Sequence, residues 1–365
     1  MVHSSWAVRF SFSFINFPLS IYQMLIQKNI SLKNYNTFGI DVVAAAFSTF
    51  ENRDELHELL EYKEAESSGG NLPFMILGGG SNILFTQDFP GFILKNNIVG
   101  IEKIKEDEEH VYIKAGAGVN WHQLVLYAIE HNWAGMENLS LIPGNTGASP
   151  MQNIGAYGVE IKDIFYELEA FNVHEKKPGI FQLHDCEFGY RESVFKKKYR
   201  NQFVILNVTF RLNKKPKFNT SYGAIEQELD AMGIKDLSIQ AVSRAVINIR
   251  GSKLPDPAVI GNAGSFFKNP EVSQEDFTVL KNRFPAIVGY ALDNGNIKLA
   301  AGWLIEQAGW KGYRKGDAGC HAKQALVLVN YGNAKGNEIY ALSQQIIDSV
   351  QEKFNVLLER EVNIV

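Results

Sequence analysis

The sequence predicts an α+β fold of two or three domains, and three observations support this prediction. The chain has 365 residues, which is more than one hydrophobic core usually holds. Apolar residues recur at helical spacing in some segments and alternate with period two in others. The alternating segments are mostly typical of antiparallel strands, and a mixture of such strands with helices indicates α+β domains.

The predicted elements follow one another without an internal repeat. Helices are predicted over 51–66, 119–132, 222–232, 238–249, 273–284, 299–308 and 333–354. Strands are predicted over 26–50, 74–77, 92–95, 111–115, 164–173, 203–212, 325–330 and 355–365. Gly251 is expected to end the fourth helix, and Asn333 is expected to cap the last one. The strand over 203–212 is expected to present one apolar face, formed by Val204, Leu206, Val208, Phe210 and Leu212.

The composition excludes several classes of protein. Apolar residues make up 45% and charged residues 21% of the chain, as in ordinary globular domains, and a net charge of −4 provides no basic field for nucleic acid. The two cysteines show neither disulfide density nor metal-ligand spacing, and the eight histidines do not cluster. We therefore expect a reducing compartment and no metal site.

Residues 1–23 differ from the rest of the chain. They carry one charge, Arg9, and their apolar run is interrupted by serines, Asn16 and Pro18. No basic start or small-residue cleavage site marks a signal peptide, and the stretch is too short and too broken to span a membrane. We expect a disordered or non-native extension, with Met24 as the native start.

Two uncharged, glycine-rich stretches predict the walls of a ligand site. The first, 78–82, follows a short strand, and the backbone N–H groups of such a loop favour anionic oxygens. It matches neither the dinucleotide fingerprint nor the P-loop, because residue 83 is isoleucine and no lysine follows. Together with the second stretch, 139–158, it suits one large planar cofactor with a diphosphate. The alternatives are a tight turn and a packed interdomain crossing.

The segment 261–270 places Ser265 between a glycine bend and two phenylalanines. Gly264 permits positive φ, while Phe266 and Phe267 favour burial. This pattern predicts a hydroxyl held at the edge of a buried wall, which is a setting for a proton donor. The alternative is a glycine-rich turn that enters a core strand.

Charged residues elsewhere supply further candidates. Arg191 follows an aromatic turn and offers a planar fork for a carboxylate, unless it pairs with Glu192 at the surface. The basic segment 244–253 suits a diphosphate, or it forms a solvated helix face. Glu361, on the last predicted strand, would have a raised pKa if it were interior and would then serve as an acid; otherwise the strand is an exposed edge.

These motifs occur in an order that resembles the UDP-N-acetylenolpyruvoylglucosamine reductase family. The resemblance covers about Leu32 to the C-terminus, and the segment around Tyr222 resembles the type I subgroup, which has a substrate-covering tyrosine loop. The motifs that carry the resemblance are 36–39, 78–82, 142–144, 152–158, 189–191, 261–270, 298–303 and 359–362.

The resemblance implies a two-subdomain FAD-binding fold of the vanillyl-alcohol-oxidase type, followed by a substrate-binding α+β domain. The expected bounds are 24–98 and 99–218 for the two subdomains, 219–354 for the substrate domain and 355–365 for a C-terminal strand. It also implies noncovalent FAD, NADPH as the reductant and a cytoplasmic monomer without nucleic-acid or membrane partners. The implied reaction reduces the enolpyruvyl ether of UDP-N-acetylglucosamine to UDP-N-acetylmuramate in peptidoglycan synthesis.

The resemblance also assigns roles to residues. The expected FAD contacts are Gly78, Gly79, Gly80, Ser81, Asn82, Ile142, Pro143, Gly144, Ser149 and Gly155. The expected contacts to the UDP-sugar are Tyr222, Lys253, Asn269 and Gln324. The catalytic roles fall to Ser265, Arg191 and Glu361: Arg191 and a protonated Glu361 would stabilise the enolate formed by hydride addition, and Ser265 would then protonate it.

Departures from the family and two alternative functions qualify this assignment. Arg360 stands where the family often has proline, and Asn363 stands where it often has an arginine near the flavin. One alternative is another oxidase of the same flavoprotein superfamily, although members with covalent flavin usually present a histidine where this chain has Ser81 and Asn82. The other is a nucleotide-sugar-binding or scaffold protein without turnover, which a flavin spectrum would distinguish.

Overall fold

The computed structural model describes residues 26–66 and 72–365, so the expectations for residues 1–23 lie outside the described residues. Within these ranges the chain forms seven α-helices, which are α1 Arg53–Glu66, α2 Trp121–Glu130, α3 Ile225–Ala231, α4 Ile239–Lys253, α5 Gln274–Arg283, α6 Ala301–Gln307 and α7 Gly336–Phe354. None of these described helices combines the length and the apolar character needed to cross a bilayer.

The strands of the described residues form four sheets and two short pairs. In chain order they are β1 Gln27–Ser31, β2 Val43–Phe50, β3 Phe74–Leu77, β4 Ile83–Leu84, β5 Phe89–Asn96, β6 Ile101–Glu106, β7 His110–Gly116, β8 Gly155–Ala156, β9 Val159–Glu160, β10 Phe165–Asn172, β11 Lys177–Gln182, β12 Phe203–Asn213, β13 Gly261–Asn262, β14 Glu271–Val272, β15 Gly289–Ala291, β16 Ile297–Leu299, β17 Arg314–Lys315, β18 Ala318–Cys320, β19 Leu328–Asn330 and β20 Asn363–Ile364.

The first sheet has the order β1-β2-β5-β3, and its last three strands run parallel. Helix α1 packs Leu56, Leu59 and Leu60 against it. The same core also takes in Val204 and Leu206 from the second sheet. The first and second sheets therefore share one apolar layer.

The second sheet is antiparallel, with the order β11-β10-β12-β7-β6. The expectation that the five alternating residues of β12 share a face is wrong. A register shift opposite Glu169 and Ala170 leaves Leu206 without a partner in β10, which is a β-bulge. Val204 and Leu206 consequently face the first sheet, whereas Val208, Phe210 and Leu212 face the core under α2.

The C-terminal part contains the sheets β13-β19-β18-β17 and β14-β16-β15. The long helix α7 packs on them, and their core includes Phe38 and Phe47 from the N-terminal part of the chain. Helices α3 and α4 form a separate pair whose core also contacts Tyr157. The C-terminal part therefore packs against the N-terminal part of the chain and against the second glycine-rich stretch.

Of the predicted boundaries that differ from the structure, three have a clear local reason. Helix α4 continues through Gly251 to Lys253, because this glycine keeps helical geometry and Leu254 N–H still bonds to the carbonyl of Arg250. Helix α7 begins after Lys335, whose backbone N–H donates to Glu338 Oε2 at 2.7 Å, and Asn333 is not its cap. Residues 355–365 form a strand only at β20, with a single bridge between Phe267 and Arg360 before it.

Two helical glycines provide a matched test of the packing around α7. A Cβ on Gly336 would overlap the carbonyl oxygen of Phe85, whereas a Cβ on Gly251 would meet no atom within 4 Å. We predict that Gly336→Ala destabilises the protein by about 1–3 kcal/mol through overpacking. Gly251→Ala should instead stabilise it by roughly 0.5–1 kcal/mol, because alanine loses less backbone entropy in a helix. Thermal unfolding of the two variants checks the prediction, and equal shifts would contradict it.

Candidate active site

The centre of the candidate site is the contact between the side chains of Arg191 and Glu361. The Nε atom of Arg191 lies 3.4 Å from Oε1 of Glu361, and the two side chains are only 21% and 13% exposed. Arg191 has a φ of 55° at a tight turn, and its Nη2 donates to the carbonyl of Gly155 at 2.7 Å. The surface alternative, a pair with Glu192, is not formed. The turn instead aims the guanidinium at the C-terminal segment and the second glycine-rich stretch.

Burial raises the pKa of the Glu361 carboxyl above its ordinary value. The cations Arg191, Lys196 and Lys268 act in the opposite direction, but desolvation is the larger effect. A carboxyl in this position retains its proton at a higher pH than an exposed glutamate does. It can therefore donate a hydrogen bond to an anion.

Two hydrogen-bonded segments fix the serine turn next to the backbone of Glu361. Phe266 N–H donates to Leu326 O at 2.7 Å, and Glu361 N–H donates to Phe266 O at 2.8 Å. Phe266 and Phe267 are buried, as expected. Ser265 is half-buried, and its hydroxyl forms no hydrogen bond with any described residue. The turn thus holds an unpaired hydroxyl one residue from the backbone contact with Glu361.

A chain of ion pairs runs alongside the site. Lys268 Nζ lies 2.7 Å from Oε1 of Glu359 and 3.6 Å from Oε1 of Glu192. Glu192 also pairs with Lys197. These contacts join the C-terminal segment, the serine turn and the loop of Arg191. These three segments are distant in sequence, and opposite charges pair where they meet.

The first glycine loop packs directly on the second glycine-rich stretch. A Cβ on Gly79 would lie 2.8 Å from Asn145 Oδ1 and 3.0 Å from Gly144 Cα. Ser81 Oγ donates to Pro143 O at 3.2 Å. Gly80 takes a φ of 63° because its backbone approaches that of Tyr35 closely. The two predicted walls therefore meet, and glycine is required where they touch.

Asn82 connects this loop to the rest of the site. Its Nδ2 donates to Gln152 Oε1 at 2.8 Å and to Glu361 O at 3.4 Å. Its carbonyl accepts hydrogen bonds from the N–H and the Nδ2 of Asn363 at 3.2 and 2.9 Å. Asn363 thus stabilises the backbone of the first glycine loop and brings no charge to the site, unlike the arginine expected there.

The glycine walls fit a cofactor that carries a diphosphate and a flat ring system. The N–H groups of Gly79, Gly80 and Ser81 have no acceptor among the described residues, and such unpaired donors favour anionic oxygens. A largely apolar cavity of about 180 Å³ opens beside Gly78 and Gly147, between the first and second sheets. FAD has both the anionic and the planar parts that these features match. In contrast, no group of three or more potential metal ligands occurs within the described part of the chain.

The remaining predicted cofactor residues differ in what their side chains do. Ile142 and Pro143 lie on the same loop as Gly144, which has a φ of 110°. Ser149 is buried, and its hydroxyl donates to Thr146 O at 2.7 Å. Gly155 presents its carbonyl to Arg191. The backbone of Ser149 is also hydrogen-bonded to Thr146 and Ile154, so this residue stabilises the turn that lines the site.

Of the predicted substrate residues, the structure brings two together and places two farther out. Asn269 Oδ1 accepts a hydrogen bond from Ala301 N–H at 3.0 Å. Gln324 Oε1 lies close to Gly302, 3.0 Å from where a Cβ on that glycine would be. Both side chains therefore flank the first turn of α6. Lys253 is exposed at the end of α4. Tyr222 is 51% exposed on a loop that packs against Tyr157 and Gly158.

The sequence motifs assigned no role to Tyr190, although it precedes Arg191. Its ring lies under the Nζ of Lys298, which is 3.6 Å from the ring centroid, and burial raises the pKa of its hydroxyl. The adjacency of Tyr190 to Arg191 was the available signal, but the contact with Lys298 depends on the tertiary fold.

Replacing Glu361 should change how stability depends on pH. Because the folded-state pKa of Glu361 is raised, its stabilising effect is complete below the ordinary value of 4.5 and is lost as pH rises through the folded-state pKa. The amide of a glutamine at this position does not titrate. We predict that the wild type loses stability relative to Glu361→Gln as the pH increases from 4.5 to neutrality.

Thermal unfolding of both proteins across this pH range measures the difference. Glu352→Gln, on the exposed surface of α7, serves as the control and should follow the wild type. A difference between the wild type and Glu361→Gln that does not vary with pH would show that Glu361 is not a buried acid.

Comparisons with known proteins agree with this geometry. Residues 44–174 match an FAD binding domain, and residues 256–365 match the C-terminal domain of UDP-N-acetylenolpyruvoylglucosamine reductase. UDP-N-acetylenolpyruvoylglucosamine reductases from Amoebophilus asiaticus and Flavobacterium johnsoniae are 52% and 48% identical to the chain, and each alignment covers 94% of this chain and 100% of the relative.

A solved structure supports the same assignment. The crystal structure of the reductase from Thermus caldophilus superimposes with a TM-score of 0.63 at 25% identity, covering 92% of this chain and 97% of that one. The expected FAD-binding region followed by a separate C-terminal domain is thereby confirmed. The chain belongs to the UDP-N-acetylenolpyruvoylglucosamine reductase family.

Proposed function

We propose that this protein reduces the enolpyruvyl ether of UDP-N-acetylglucosamine to UDP-N-acetylmuramate, with NADPH as the reductant and FAD as a noncovalent cofactor. The observation that carries the proposal is the convergence of Arg191, Glu361 and the Ser265 turn beside the two glycine walls. The names of the relatives and the matched FAD binding domain support this reaction for the chain. The reaction belongs to peptidoglycan synthesis.

FAD would be held by the loop 78–82 and by Ile142, Pro143, Gly144, Ser149 and Gly155. When bound, FAD accepts a hydride from NADPH and delivers it to the substrate. The loop contributes unpaired N–H groups for the diphosphate, and the glycines let the backbone approach the cofactor. Ser81 and Asn82 occupy the position where a covalent attachment would need a nucleophilic side chain, and both are engaged by hydrogen bonds within the protein.

Arg191 and Glu361 bind the carboxylate of the enolpyruvyl group. The guanidinium neutralises the carboxylate, and the protonated Glu361 donates a hydrogen bond to one of its oxygens. When hydride reaches the terminal carbon, negative charge spreads from the neighbouring carbon onto these same oxygens. Both side chains then interact with more charge than before, so they stabilise the transition state more strongly than the bound substrate.

Ser265 supplies the proton that completes the reaction. The carbon next to the carboxylate has become strongly basic, so a hydroxyl of ordinary acidity can protonate it when correctly placed. The hydroxyl is free to do so because it has no partner among the described residues. The buried rings of Phe266 and Phe267 exclude water from the side of the turn that faces the core.

The UDP-sugar would be held by residues of the C-terminal region. Asn269 and Gln324 converge at the first turn of α6, and Lys253 offers a cation for the diphosphate. Tyr222 lies on an exposed loop that packs against the second glycine wall, where it can cover a bound substrate.

We also propose that the protein works as a cytoplasmic monomer and that its domains divide near residues 98, 218 and 354. Both cysteines are free and buried, which suits a reducing compartment.

Separate measurement of the two half-reactions tests the proposed function. The flavin of the purified protein should be bleached by NADPH without oxygen, and its colour should return when the enolpyruvyl UDP-sugar is added. A protein that takes up no FAD, or whose reduced flavin is not reoxidised by this substrate, would contradict the proposal.

Ser265→Ala should leave flavin reduction by NADPH intact and slow reoxidation by the substrate by about 10²-fold or more, the range for a positioned acid. Ser31→Ala is a suitable control, because Ser31 lies on edge strand β1 and bonds to Asp41. If Ser265→Ala were reoxidised at the rate of the control, Ser265 would not be the proton donor.

A further inference from the structure

Lys196 carries a buried amino group whose role the proposed reaction does not explain. Its Nζ is inaccessible to solvent and has no hydrogen-bond partner among the described residues. The next two residues, Lys197 and Lys198, are exposed in the ordinary way. In the sequence the three lysines read as one solvated basic run, and only the fold separates the first from the others.

The surroundings of Lys196 are those of the candidate active site. The charges that act on its amino group belong to Lys268, Glu361, Glu359 and Glu192. Lys196 in turn is one of three cations that act on the Glu361 carboxyl, together with Arg191 and Lys268. Lys196 therefore lies within electrostatic range of the residue proposed to contact the substrate carboxylate.

The other two cations near Glu361 are already engaged. Arg191 lies against the Glu361 carboxyl and donates to Gly155 O. Lys268 pairs with Glu359 and Glu192. A buried ammonium without a hydrogen bond is costly, and burial lowers the pKa of Lys196, an effect that Lys268 reinforces. The unpaired ammonium of Lys196 therefore destabilises the ligand-free protein, and a nearby negative charge on a ligand would offset this effect.

We propose that Lys196 is a second cation of the reaction, which acts through space on the negative charge of the enolate formed on the substrate. This inference rests on the proposed function. The substrate carboxylate enters with one negative charge. Hydride addition forms a C–H bond at the terminal carbon, and the π electrons of the double bond become a second negative charge on the carboxylate-bearing unit.

Two cations match these two charges. Arg191 neutralises the carboxylate in the bound substrate, and a protonated Glu361 contributes no charge of its own. Lys196 offsets the charge that appears with hydride transfer. The proton from Ser265 then forms the second C–H bond from that electron pair, which returns the ligand to one negative charge, and solvent reprotonates the serine.

The test compares Lys196→Met, which keeps the length of the side chain and removes the charge, with Lys196→Arg, which restores the charge. Lys198→Met is the matched control, because Lys198 is exposed and its Nζ lies over the ring of Tyr199. For each protein, anaerobic stopped-flow measurements follow reduction by NADPH and reoxidation by the enolpyruvyl UDP-sugar. Substrate binding to the oxidised enzyme and ligand-free thermal unfolding are measured in parallel.

We expect Lys196→Met to slow reoxidation by roughly 10-fold, the effect of removing one cation that acts on the developing charge through space. Reduction by NADPH and binding of the substrate should change little, because the second charge exists in neither state. Lys196→Arg should recover most of the loss. Lys196→Met should also unfold at the wild-type temperature or above it, since a buried unpaired charge has been removed.

Several results would overturn the proposal. Reoxidation at the rate of Lys198→Met would show that Lys196 has no part in the reaction. Equal slowing of both half-reactions, or weaker FAD binding, would place Lys196 in the cofactor site. A lower unfolding temperature would show that it supports the fold. Failure of the proposed function is distinguishable, because the wild-type flavin would then not be reoxidised by this substrate.

Discussion

The docking of the last ten residues holds the candidate site together. Glu361 N–H bonds to the serine turn, Asn363 bonds to the carbonyl of Asn82, and β20 pairs with β4 of the N-terminal region. Asn82 returns a hydrogen bond to the carbonyl of Glu361. In these contacts the C-terminal segment is the element that bonds both to the serine turn and to the first glycine loop. The geometry of the proposed proton donor relative to the cofactor walls depends on it.

Arg360 anchors the same segment from its other side. Its Nε donates to Ser343 Oγ at 2.8 Å and its Nη2 donates to Gln344 Oε1 at 2.7 Å, while the guanidinium lies 4.5 Å from the centroid of the Tyr340 ring. A proline at this position could form none of these contacts. In this chain helix α7 therefore helps to hold the backbone of Glu361.

The electrostatics of the site follow from unequal burial. Glu359 and Glu361 are two residues apart, yet Glu359 is largely exposed and pairs with Lys268, whereas Glu361 is buried and its pKa is raised. Burial also leaves the amino group of Lys196 without a partner among the described residues. Such arrangements destabilise a ligand-free protein and are typical of sites that bind a charged ligand or transition state. The surplus of positive charge around Glu361 accordingly suits a substrate whose negative charge increases during the reaction.

The sequence by itself determined the element types, the glycine-rich walls and the identity of the principal candidates, because these depend on local spacing and on residue chemistry. It did not determine the bulge in β12, the end of α4 or the form of the C-terminal segment, since these depend on what packs against each element. The partner of Arg191 was also undetermined, because Glu192 is adjacent in sequence while Glu361 becomes adjacent only on folding. Lys196 shows the same limit: three consecutive lysines are chemically identical, and only the tertiary structure decided which one loses its water.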